Sequence, residues 1–151
     1  MILPQELRIG NLVTINNYRA WPDLKDIPLT VIELSTEMDE YEKELFPKSK
    51  GTITLQGKSE TYNQFSQFIE PIELNEDWLL KLGFDSNNVS YKIDNDRFIF
   101  ELYFYDAWNL NYVEKEKFGN GSVELSGYWK IHELQNLFFD FTGEELEIKE
   151  S

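Results

Sequence analysis

Along the first half of the chain, apolar and polar residues alternate in short runs broken by turn residues, as strands do. Residues 7–9 (LRI) lead into the turn pair Gly10 and Asn11, and residues 12–15 (LVTI) resume extended character. Asn16, Asn17 and the Trp21-Pro22-Asp23 stretch interrupt it. Residues 29–34 (LTVIEL), rich in β-branched side chains, predict the next strand, and 52–55 (TITL), bounded by Gly51 and Gly57, another. Residues 68–72 (FIEPI) predict one more, with Pro71 favouring a sheet edge. So many short strands within residues 1–73 predict a small, strongly bent, β-barrel-like region of SH3-like type. Between them, residues 36–47 form the most acidic segment of this half; a short helix or a mobile loop fits it, and Pro47 ends either one.

The second half opens on a well-signalled helix. Asn75 is an N-cap residue, Glu76 and Asp77 place negative charge in the first turn, and Gly83 supplies a stop after Trp78, Leu79, Leu80 and Leu82. Phe98, Phe100, Leu102 and Phe104 then recur at period two, which predicts one buried face. The preceding strand, 90–93, is joined to it by an Asp94-Asn95-Asp96 turn. Residues 112–118 alternate Glu and Lys as an exposed strand would, and Gly119-Asn120-Gly121 predicts a hairpin turn into 122–125. Ile131, Leu134, Leu137, Phe138 and Phe141 fall on one helical stripe that ends at Gly143, and 144–148 reads as a docked end or last strand. The expected class is α+β: a β-rich subregion 1–73, then a short helix, an antiparallel β-meander and a C-terminal helix over 74–151. With no linker at 72–74, a single compact unit 1–151 is expected.

Composition narrows the chemistry. Aromatic residues make up 15% of 151 residues, far above what a disordered chain carries. The absence of cysteine removes disulfides, thiolate metal sites and cysteine nucleophiles, and fits a reducing cytoplasm. The N-terminus lacks a basic, then apolar, leader pattern, and no apolar run is long enough to span a bilayer, so the cytosol is the expected compartment. The net charge is −14, with 12 acids and 7 bases in residues 1–73 and 16 and 7 in residues 74–151. Such charge repels phosphate and anionic lipid, so neither direct nucleic-acid binding nor membrane binding is expected. It favours a basic partner, although acidity also simply keeps a protein soluble.

Catalytic signals are weak. His132 is the only histidine, and at the start of the last helix a capping or surface role is the commoner one. Neither a P-loop nor a dinucleotide Gly motif occurs. Asp94-Asn95-Asp96 lacks the following Gly and Glu of a calcium loop. No catalytic, cofactor-binding or metal-ligating residue is assigned, and no enzyme is expected; a carboxylate enzyme would need acids converging in a concave pocket.

Three motifs occur together: LRIGNLV at 7–13, WLLKLGF at 78–84, and HELQNLFF at 132–139 followed by TGEEL at 142–146. In them the chain resembles a family of small proteins widespread in bacteriophage and prophage genomes, for which no activity is established. The likeness runs from end to end apart from residues 16–50. It implies a host-cytosolic protein of phage or mobile-element origin and transfers no site residues. Small acidic phage proteins often bind host proteins, as anti-CRISPR inhibitors do.

The leading expectation is thus an acidic protein-binding module, an anti-defence inhibitor that occupies the cationic channel of a basic, nucleic-acid-handling host protein. Its local acid candidates are Glu37, Asp39, Glu40, Glu42 and Glu44, then Glu144, Glu145 and Glu147. Tyr103 and Tyr105, opposite the Phe98–Phe104 stripe, and the following Trp108 are candidate contact residues, unless a helix covers that face. The alternative is a structural or adaptor protein of phage assembly, acidic only for solubility. The sequence leaves the oligomeric state open.

Overall fold

The computed structural model describes residues 2–17, 19–115 and 122–149. The chain divides into two compact units, Met1–Ile72 and Glu73–Ser151, at the joint between the two expected subregions. Each unit holds one five-stranded antiparallel sheet, and with the helices the class is α+β. Among the described residues no helix is long and apolar enough to cross a membrane.

In the first unit the strands are β1 (Leu12–Ile15), β2 (Leu29–Ser35), β3 (Thr52–Gln56), β4 (Thr61–Phe65) and β5 (Ile69–Glu70), in the order β4-β3-β2-β1-β5. Period-two alternation turns Ile53 and Leu55 inward from β3, where they meet Val13, Ile15, Leu29, Val31 and Ile69. A register shift between Val31 and Glu33 bends β2. A single 3-10 turn, Ser66–Phe68, links β4 to β5. No pairing between β4 and β5 closes the sheet among the described residues, so the expected barrel is not closed by a ladder. Residues 7–9 are not a strand: after a 3-10 turn at Pro4–Glu6, Leu7 drops into the core and the chain turns at Gly10 (φ 97°). The acidic segment contains a helix, α1 (Glu40–Leu45).

The second unit begins with α2 (Glu76–Lys81), where the Asn75 Oδ1 accepts from the Trp78 amide at 2.9 Å. The strands β6 (Asp85–Ser86), β7 (Tyr91–Asp94), β8 (Phe98–Tyr105), β9 (Ala107–Glu114) and β10 (Ser122–Gly127) form a meander in the order β10-β9-β8-β7-β6. The helix α3 (Ile131–Thr142) follows and ends at Gly143 in the left-handed conformation (φ 75°). Phe138 from α3 sits edge-on to Phe98 and Phe100, with ring centroids 5.7 and 5.0 Å apart. Burial of each of these rings contributes about 2–3 kcal/mol. The C-terminal tail is docked: Leu146 is buried, Gln135 Nε2 donates to the Leu146 carbonyl at 2.9 Å, and the Lys149 amide donates to the Lys81 carbonyl at 2.7 Å.

Three expectations are corrected by the structure. The buried stripe of β8 ends at Leu102, and Phe104 is 60% exposed, because beyond Leu102 the strand runs on into an uncovered hairpin. Residues 112–114 belong to the end of β9, whose Trp108, Leu110 and Tyr112 face the core, so this is a central strand and not an exposed one. Residues 116–118 and the Gly119-Asn120-Gly121 turn lie outside the described residues. His132 is a buried side chain, 4% exposed, rather than a surface or capping one, since it follows Ile131 into the core side of α3.

Candidate functional site

The acidic segment of the first unit is capped at one end and packed at the other. Asp39 Oδ1 accepts from the Glu42 amide at 2.7 Å while Glu42 Oε1 accepts from the Asp39 amide at 3.3 Å, a reciprocal capping box at the start of α1. Phe46 closes the other end, stacked on Phe65 at 4.2 Å and edge-on to Phe68 at 5.8 Å. Two of the five candidate carboxylates therefore satisfy backbone amides. A third, Glu40, lies 3.6 Å from the Lys43 Nζ across an exposed turn. Glu37 and Glu44 are exposed. Met38 borders two depressions. One is a cleft of about 350 Å³ bordered by Lys43, Phe46 and Lys50, and the other a shallower groove of about 540 Å³ bordered by Glu37, Asp39 and Glu42. Acids and lysines thus both border this segment. Duplex DNA, by contrast, carries about one negative charge per 1.7 Å of axis.

The other acid group, in the second unit, is divided too. Arg97 Nη1 donates to Glu144 Oε2 at 3.0 Å and Arg97 Nη2 to the Thr142 carbonyl at 3.0 Å, so Glu144 helps fasten the end of α3. Glu145 and Glu147 are exposed on the tail.

The aromatic candidates converge at the β8–β9 hairpin. Its register pairs Phe104 with Trp108 and Tyr105 with Ala107, leaving Asp106 alone at the bend with φ 63°. Cross-strand partners share a face, so Trp108 lies on the core side, only 8% exposed and edge-on to Phe104 at 5.3 Å. Trp108 is therefore a supporting residue beneath the tip and no part of an open outer face. Tyr103 and Tyr105 do occupy the opposite face, and among the described residues no helix covers them: Tyr105 is 76% exposed. Sequence reading missed Phe104 and Tyr128. Tyr128 is 73% exposed, and its hydroxyl donates to the Asp106 carbonyl, tying the chain after β10 to the bend. Exposed aromatic side chains thus flank Asp106: Phe104 on the core-side face, Tyr105 on the opposite one, and Tyr128 at the Asp106 carbonyl. The missed signal is the place of Phe104 next to a turn, where period-two alternation no longer reports burial.

Electrostatics elsewhere in this sheet serve the fold. Lys115 Nζ donates to Asp94 Oδ1 at 2.6 Å, and that hydrogen bond, more than the added charges of Lys115 and Lys92, holds the Asp94 carboxyl below its usual range. Asn95 Oδ1 accepts from the Arg97 and Phe98 amides, so the turn expected here runs over Asn95, Asp96 and Arg97, one residue later than read, with Asp94 still paired to Ile99 in β7. A depressed folded-state pKa contributes stability that is present above the unfolded value and is lost as pH falls through the folded one. Asp94→Asn is therefore expected to lower the thermal midpoint slightly at neutral pH, with the difference from wild type shrinking and then vanishing as pH falls below the ordinary carboxylate range. A gap that persisted in acid would show that Asp94 acts by packing instead. Burial, reinforced by the charge of Glu114, raises the pKa of the Tyr112 phenol, whose hydroxyl donates to the Phe141 carbonyl at 3.1 Å.

Compared with known protein families, curated proteins and solved structures, the chain matches none.

Proposed function

We propose that this chain is an acidic binding protein without a reaction of its own, which recognises a basic protein partner chiefly through the β8–β9 hairpin tip. The observation that carries this reading is the exposure of Phe104, Tyr105 and Tyr128 around Asp106, in a stretch with no cation of its own. Residues 98–114 and 122–129 contain Glu101, Asp106, Glu114 and Glu124 but no Lys or Arg. Rigid aromatic side chains supply binding area at low entropic cost, and aromatic faces beside carboxylates attract Lys and Arg. The Glu37–Glu44 segment is a secondary, longer-range contribution, since three of its five carboxylates are already engaged.

The likeness to small phage and prophage proteins supports a host-cytosolic inhibitor of a nucleic-acid-handling protein as the biological setting. The first sheet we read as SH3-like, supported by its strand order and the single 3-10 turn between β4 and β5.

The test is affinity capture by the tagged full chain from nuclease-treated bacterial lysate, at low and high salt, beside a Phe104→Ala/Tyr105→Ala variant. A basic protein held at low salt and released at high salt is expected, with its affinity for the variant reduced at least about tenfold. Both positions being exposed, the thermal midpoint should change little. An undiminished partner on the variant, or a salt-resistant assembly component, would overturn the reading in favour of an adaptor.

A further inference from the structure

The sheet of the second unit ends asymmetrically. On one side lies β6, only two residues long; on the other lies β10, paired with β9 through six consecutive residues without a register shift. Among the described residues nothing pairs with the outer side of β10. In an antiparallel strand, alternate residues turn their N–H and C=O groups away from the neighbour, so this edge presents a row of backbone donors and acceptors. Soluble proteins blunt such edges with Pro, Lys, bulges or short length. β10 reads Ser-Val-Glu-Leu-Ser-Gly, with no Pro, Lys or register shift and a single charge, Glu124. Val123 and Leu125 face the same side as Tyr112 and Leu110 yet remain more than a third exposed. Ser122, Glu124 and Ser126 face the other side, where Ser126 Oγ donates to Asn109 Oδ1 at 2.7 Å.

We propose that β10 is a strand-addition site: an extended, Lys/Arg-bearing segment of a partner protein pairs along Ser122–Gly127 as a sixth strand. This deepens the reading of a basic protein partner and rests on it. Main-chain pairing supplies affinity in such recognition, and alternating side chains supply specificity. One face of the added strand lays apolar, β-branched side chains against Val123 and Leu125. The other presents cations to Glu124. The occupant is basic because β8, β9 and β10 carry only acids among their charged residues, as the tip does. A second copy of this chain fits poorly: antiparallel pairing of two β10 edges brings two Glu124-bearing strands together, and each chain carries a net charge of −14.

The experiment selects a display library of random linear peptides against the full chain. The best sequence is then synthesised in three forms: unmodified, and N-methylated at either set of alternate amides. Selected peptides should alternate Lys or Arg with β-branched or aromatic residues. Added hydrogen-exchange protection should centre on residues 122–127. One N-methylation pattern should abolish binding and the other spare it, and Glu124→Lys should weaken binding at least about tenfold while leaving the thermal midpoint in place. Failure to select a binder, protection elsewhere, indifference to both methylation patterns, or full binding by Glu124→Lys would each overturn the proposal. So would concentration-dependent protection of β10 without peptide, which would make the occupant a second copy. The parent reading stands or falls separately. A captured cellular partner lost with Phe104→Ala/Tyr105→Ala but kept by Glu124→Lys would retain the hairpin tip and discard strand addition.

Discussion

Replacing Gly51 by alanine is expected to destabilise the first unit by about 3 kcal/mol or more. Gly51 has φ 153°, in a region open only to glycine. A Cβ built there would stand 2.0 Å from the Ser35 carbonyl oxygen, and 3.0 Å from the Ser35 carbonyl carbon and Thr36 Cα. All three are backbone atoms at the end of β2, so no side chain can swing aside. Retreat of the Gly51 backbone is blocked as well. Its carbonyl accepts from the Ser66 amide at 2.9 Å, the Lys50 amide donates to Ser66 Oγ at 2.8 Å, and Ser66 is fully buried. The strain can be relieved only by opening the Ser35–Thr52 end of the β2–β3 ladder or the turn before β5. Gly143 is the internal comparison. It too has positive φ, but nothing lies within 4 Å of its Cβ position, so Gly143→Ala should cost only about 1 kcal/mol. Urea midpoints of the two variants, measured side by side, check the difference. A Gly51→Ala loss no greater than that of Gly143→Ala would mean that the close approach to Ser35 is relieved without disturbing the ladder.

The same contrast explains what a linear reading of the chain reaches. The helices α2 and α3 are legible because their signals are local: Asn75 caps one, and the Ile131, Leu134 and Phe138 stripe with Gly143 delimits the other. The strand β4 is not, since its TYNQF sequence is polar and its Gln64 is buried by the neighbouring strand rather than by its own character. Trp108 and Phe104 fail for a related reason. Burial at period two depends on where the covering layer ends, and the tight bend at Asp106 carries no Gly or Pro to mark it. In the candidate site, the positions of the acids are readable but their engagements are not. Asp39 and Glu42 have the spacing of a capping box written into the sequence, yet in a run of five acids that spacing reads first as charge. The Arg97–Glu144 pair joins residues 47 apart, a distance that only the fold can close. Tyr128 reaches the Asp106 bend only through three strands and a short return of chain.

Removing the Phe138 ring is expected to cost the second unit about 3–5 kcal/mol, comparable to the whole stability of a marginal domain. Phe138 is the side chain through which α3 engages the centre of the sheet: it is 4% exposed and meets Phe98 and Phe100 at interplanar angles of 78° and 69°. Edge-to-face aromatic pairs add about 0.5–1.5 kcal/mol beyond burial, so Phe138→Ala loses both the ring's transfer free energy and two such pairs, and leaves a cavity. Neighbouring bonds cannot make up the loss. Gln135 Nε2 and Thr142 Oγ1 hold the tail and the helix end, and Tyr112 meets Phe141 one turn further along. Phe138→Leu separates the terms, since it keeps most of the volume and loses the ring geometry, and should cost roughly 1–2 kcal/mol. Hydrogen exchange resolves the consequence spatially. In Phe138→Ala, protection should fall across α3, β8 and β9 together, because sheet and helix share this one aromatic layer. Protection lost in α3 alone would mean that the meander holds its own fold. In that case the hairpin tip and the β10 edge would not depend on the helix behind them.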